Sequence, residues 1–89
     1  TVMNLVEQYS IYKILRNPAT IIRCARSSDN DVYRISSGVH ELICVHPLEK
    51  FGRALLYTRN TENGNSNMYN GLFAHMALCM IKNRTPKAR

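Results

Sequence analysis

Nowhere in these 89 residues does an apolar run approach the roughly 18 residues that a membrane-crossing helix requires. Charges interrupt the apolar residues throughout, so the chain is expected to be soluble, with no membrane partner. The opening residues 1–17 also lack the basic start, apolar centre and small-residue cleavage site of a secretory signal, and Glu7 and Lys13 break their apolar character. Nothing in them directs export. The chain begins with Thr1 rather than Met and is read as part of a larger protein.

Cysteine is scarce and odd in number. Cys24, Cys44 and Cys79 sit in apolar surroundings, which fits buried free thiols in a reducing compartment, cytoplasm or nucleus, better than a disulfide framework. No CxxC pair occurs. His40, Cys44 and His46 on one side, and His75 and Cys79 on the other, have the residue types of a zinc set but not its short-loop spacing, so no metal or other cofactor is expected. There is no internal repeat, no GxxG clamp, no zinc knuckle and no aromatic platform motif.

Acid is the other scarcity: six Asp and Glu stand against twelve Lys and Arg, giving a net charge of +6 and a pI near 9.6. That balance is the electrostatic signature of a protein that meets polyanions. Two basic groups carry no acid among them: Lys13, Arg16, Arg23 and Arg26 near the start, and Lys82, Arg84, Lys87 and Arg89 at the end.

A chain this short has material for one core. Residues 2–16 repeat apolar positions at helical intervals, with Leu5, Tyr9 and Tyr12 on one ridge and Ile11 and Leu15 on another. Asn17 and Pro18 end that helix and supply the cap and first position of a second, over residues 18–26. Arg23 and Arg26 then stand three apart on its surface, where two guanidinium groups would hold adjacent phosphates.

Residues 27–31 read as a loop. From Val32 the composition turns to β-branched and aromatic residues on both sides of Gly38, predicting a hairpin with Gly38 at positive φ. Residues 51–58 are compatible with strand or helix and are assigned as strand. The polar run 59–71 is long for a connection and predicts a mobile loop, with Arg59 and Tyr69 at its ends poised for a ligand, although Asn63-Gly64 and Asn70-Gly71 would also permit a small hairpin. Residues 72–81 are apolar nearly all round, as in a buried helix or one covered by a second subunit. Residues 83–89 read as a mobile basic tail.

The expected architecture is α+β: a single domain over 1–82 with two N-terminal helices, a small antiparallel sheet of two or three strands, and a C-terminal helix. Its expected role is non-enzymatic binding of RNA or DNA phosphates through Lys13, Arg16, Arg23, Arg26, Arg59, Tyr69, Lys82 and Arg84, as a homodimer through the 72–81 helix. The alternative is an interaction module whose basic surface meets an acidic protein. A minor alternative is a small metal-independent ribonuclease built on His40, Glu41, His46, Arg34 and Arg53, but His40 and Glu41 leave opposite faces of a strand and would not act on one substrate atom.

Overall fold

In a computed structural model, which describes residues 5–48 and 52–84, one helix stands at each end of the chain and five strands lie between them. Helix α1 spans Leu5–Arg16; strands β1 to β5 span Ile21–Ser27, Asn30–Ser37, His40–Pro47, Leu55–Asn60 and Ser66–Tyr69; helix α2 spans Leu72–Arg84. The strands form one antiparallel meander in chain order, β1-β2-β3-β4-β5. Among the described residues no helix is long and apolar enough to cross a membrane.

The α+β class holds, but the expected pair of N-terminal helices and the sheet of two or three strands do not. Residues 18–26 build no second helix: most of them belong to β1, which pairs with β2 from Ile21↔Ser36 to Ser27↔Asn30. Asn17 does cap, but locally. Its Oδ1 accepts a hydrogen bond from the amide of Ala19 at 2.9 Å, closing a turn, and Thr20 donates its hydroxyl back to the Ile14 carbonyl at 2.8 Å. The β-branched Ile21 and Ile22 then open β1 as a pleated edge strand, where branched side chains suit the backbone better than they suit a helix. The expected loop 27–31 shrinks to a turn at residues 28–29, with Ser28 at φ 51°.

The run 59–71 is an ordered hairpin and not a mobile loop. Its asparagines make the turn: Asn60 Oδ1 accepts from the amides of Glu62 and Asn63, Asn63 Oδ1 accepts from Asn65, and Gly64 takes φ 78°. This turn joins β4 to a short β5. At the preceding hairpin Gly38 adopts φ 56°, the left-handed value anticipated for it.

Both helices cover the same face of the sheet. Helix α1 buries Ile11, Ile14 and Leu15, and α2 buries Ala74, Ala77, Leu78 and Ile81, a stripe at helical spacing. Beneath them lie Tyr33, Ile35, Leu42, Cys44 and Leu56. The ridge expected to be core, Leu5 and Tyr9, is 58% and 63% exposed, and the second ridge does the packing. Of the three thiols only Cys44 is buried, and desolvation pushes its pKa up to about 12; Cys24 and Cys79 are exposed, and all three are free. Helix α2 spends its apolar stripe inside its own domain. It also extends to Arg84, so residues 83–84 of the expected tail are helical. Residues 85–89, with Lys87 and Arg89, lie outside the described residues, as do the helix start expected over 2–4 and the strand start expected at 51.

Two polar clasps fix the helices. Glu7 in the first turn of α1 accepts hydrogen bonds from Thr58 Oγ1 on β4 at 3.3 Å, from Asn67 Nδ2 on β5 at 3.0 Å, and from the Tyr69 hydroxyl. At the other end Arg84 donates to the carbonyls of Leu15, Pro18 and Thr20 at 3.1, 3.3 and 2.8 Å, tying the last turn of α2 to the α1–β1 connection. Hydrogen bonds to a charged group contribute about 1.5–3 kcal/mol each. Tyr69→Phe is therefore expected to cost ~1.5–3 kcal/mol, and much less in a Glu7→Ala background, when both are measured by urea unfolding. Equal losses in the two backgrounds would show that the clasp is not coupled.

Candidate nucleic-acid interface

The sheet alternates, so covering one face leaves the other bare. Among the described residues neither helix reaches the outward side chains: Ile21, Arg23 and Ala25 on β1, Val32, Arg34 and Ser36 on β2, Glu41, Ile43 and Val45 on β3, Leu55, Tyr57 and Arg59 on β4, and Ser66 and Met68 on β5. Register assembles them into rows. One row takes a residue from every strand: Arg23, Arg34, Ile43, Tyr57, Met68. With strands about 4.8 Å apart, it runs about 19 Å across the sheet. Tyr57 and Met68 are 42% and 51% exposed and Ile43 is half-buried, which makes an apolar stretch with two guanidinium groups at one end.

Arg23 and Arg34 are directly opposite one another, both are exposed, and among the described residues neither has an acidic partner. Like charges placed directly across a strand pair are destabilising. The neighbouring row carries Arg59 opposite Glu41, but that pair is loose, 3.9 Å apart with side chains 65% and 51% exposed, and is worth little. Three arginines and one glutamate leave the face positive.

The other expected contacts fall elsewhere. Arg23 and Arg26 are not neighbours on a helix: they project from opposite faces of β1. Arg26 is held by Asp31, its directly paired residue, through Nε to Oδ1 at 2.8 Å and Nη2 to Oδ2 at 3.3 Å. Lys13 and Arg16 are exposed on α1, on the helix side, and each lies over a tyrosine of its own helix: Lys13 Nζ is 4.9 Å from the Tyr9 ring centre, and the Arg16 guanidinium is 5.5 Å from that of Tyr12. Tyr69, expected to be exposed, is 9% exposed, packs edge-on against Phe73 and donates to Glu7. Arg84 is occupied by backbone carbonyls. Lys82 is exposed on α2, and its charge is felt at Asp31 and His46.

The residues considered for ribonuclease chemistry are dispersed. His40 and His46 stand at opposite ends of β3, Glu41 and Arg34 are on the open face, and Arg53 precedes β4. His75 and Cys79 approach to 3.8 Å on α2, and among the described residues no three metal-ligating side chains come together. Sequence reading did not place Arg34 and Tyr57 in this interface. The alternation of Tyr33 and Ile35 with Arg34, and of Leu56 and Thr58 with Tyr57, holds the signal, but it resolves only when the buried set is known. Compared with known proteins, the chain matches no family model, no curated protein and no solved structure.

On the covered face, Asp31 and His46 are directly paired in register, and each contributes to how the fold responds to acid. The Arg26 hydrogen bonds hold the Asp31 carboxyl below its ordinary 3.8 against the opposing effect of burial. Burial lowers His46 below its ordinary 6.5; Lys82 and His75 lower it too, and Asp31 raises it. Above pH 6.5 the imidazole is neutral in folded and unfolded chains alike; as pH falls below 6.5 the unfolded chain takes up the proton first, so stability drops. The Asp31 contribution is present above 3.8 and is lost as pH falls through the lower folded value. Urea titrations are expected to show His46→Gln flattening the decline that starts near pH 6.5, and Asp31→Asn flattening the decline below 3.8 while steepening the one near 6.5, because it removes the charge that raises His46. A His46→Gln profile identical to that of the parent would contradict this assignment.

Proposed function

We propose that the domain binds single-stranded nucleic acid, without catalysis, across the open face of its sheet. The observation that carries the reading is the exposed pair Arg23 and Arg34, opposed across β1 and β2 with no acidic partner among the described residues. Two phosphates would turn their mutual repulsion into charge-assisted hydrogen bonds. The same row continues into Ile43, Tyr57 and Met68, and Tyr57 offers a ring on which an unstacked base can lie, as duplex bases cannot. Arg59 adds charge at the next row. Lys13 and Arg16, on the helix side, belong to a different surface and would contribute only long-range attraction.

A second reading is favoured by the apolar share of this face: Val32, Ile43, Val45 and Leu55 are half-buried beside the exposed Ile21, Tyr57 and Met68. That surface also suits a second copy of the chain or another protein. An uncharged partner, however, would bury Arg23 and Arg34 unpaired, and stranding a charge in an interface costs several kcal/mol.

Salt-titrated binding of short single-stranded RNA and DNA tests the reading. The double change Arg23→Ala with Arg34→Ala is expected to reduce the slope of log affinity against log salt by about 1.4, two phosphates at about 0.7 each. Tyr57→Ala is expected to weaken binding by ~1–3 kcal/mol with the slope unchanged. Affinity no greater than for a neutral control domain, or a face that self-associates in light scattering and loses that association in Tyr57→Ala, would favour the second reading instead.

A further inference from the structure

On the helix side, where β3 ends and α2 begins, the described residues line a half-open cavity of about 460 Å³. This lies within the roughly 300–1,000 Å³ typical of small-molecule sites. Its wall has two characters. Ala54 and Leu78, both buried, and Leu72, which is 88% exposed at the start of α2, supply apolar surface; His46, Arg53 and His75 supply nitrogen donors from three separate segments. Among the described lining residues there is no carboxylate. The first turn of α2 carries no acid either, so the positive end of its backbone dipole is unopposed by side chains of its own helix.

His46 adds an independent indication. Its Nδ1 is sealed inside the protein with no hydrogen-bond partner among the described residues, and His46 lines the cavity. Burial, Lys82 and His75 all disfavour a proton on this ring, with only Asp31 favouring it. An anion in the cavity would reverse that balance. A guanidinium and two imidazoles arriving from three segments match the several oxygens of a tetrahedral phosphate better than the two of a planar carboxylate. The second ionisation of a phosphomonoester, near about 6, also lies close to that of an imidazole.

We propose that this cavity is a binding site for a small organic phosphate of about nucleoside-monophosphate size, its phosphate held by Arg53, His75 and His46 and its uncharged body resting on Leu72, Leu78 and Ala54. The site is separate from the open sheet face and does not rest on the nucleic-acid reading. It is assigned binding only, with no bond made or broken.

The test is a titration of the purified chain with adenosine 5′-monophosphate, adenosine, inorganic phosphate and acetate, followed by amide NMR shifts at Gly71, Leu72 and His75. Adenosine 5′-monophosphate is expected to saturate these shifts at or below ~1 mM, with each of the other three at least about tenfold weaker. Arg53→Ala and His75→Ala should each weaken it by about tenfold or more, while Arg23→Ala with Arg34→Ala leaves it unchanged. His75→Lys, which keeps a donor and a charge, should retain more affinity than His75→Ala. No saturable shift up to ~10 mM, adenosine binding as well as its monophosphate, or affinity indifferent to Arg53→Ala would overturn the proposal.

Discussion

The carboxylate of Glu7 sits at the first turn of the N-terminal helix and accepts hydrogen bonds from three side chains on the last two strands. It closes a chain separation of 62 residues at Tyr69 and thereby holds α1 across the far edge of the sheet. Arg84 does the converse from the other terminus, reaching the connection that leaves α1. With both helices pinned to one face, no other element among the described residues covers the opposite one. The open surface follows from that constraint.

A domain of this size buries a modest fraction of its surface, and leaving one face of a five-stranded sheet uncovered reduces it further. What offsets this is a dense covered face, where Leu42, Cys44, Leu56, Ala74, Ala77 and Ile81 are at most 2% exposed. The division also separates charge by role. Arg26 and Arg84 are tied into the fold by Asp31 and by backbone carbonyls. Arg23 and Arg34 make no such contact among the described residues, and their opposition is tolerable because both side chains are exposed to water. Charge that stabilises the fold and charge available to a ligand cannot be told apart by counting arginines.

Much of the architecture was legible where local and tertiary preferences agree. The helical period of residues 5–16 stops at Pro18, Gly38 needs positive φ in a tight hairpin, and the Leu, Ala and Met content of α2 favours a helix. The reading failed where a short segment satisfied two patterns. Residues 18–26 have a good helix start in Asn17 and Pro18, and only pairing with β2 commits them to a strand. That error carried Arg23 and Arg26 onto one surface, although as strand residues three apart they point oppositely. The asparagines of 60–65 look free in sequence, which favours the mobile loop, yet their side chains satisfy the turn's own amides. Tyr69 looked exposed by its neighbours in sequence, and its burial depends on Glu7, which no local window contains.

The central claim is that the bare face of the sheet is the binding surface, and amide shift mapping with a short single-stranded oligonucleotide at low salt tests it most directly. The account predicts that the largest shifts fall in a band across all five strands, at Arg23, Arg34, Ile43, Tyr57 and Met68, with α1 and α2 little changed. Shifts confined to Lys13, Arg16 and the rest of the helix layer, with that band unmoved, would contradict it.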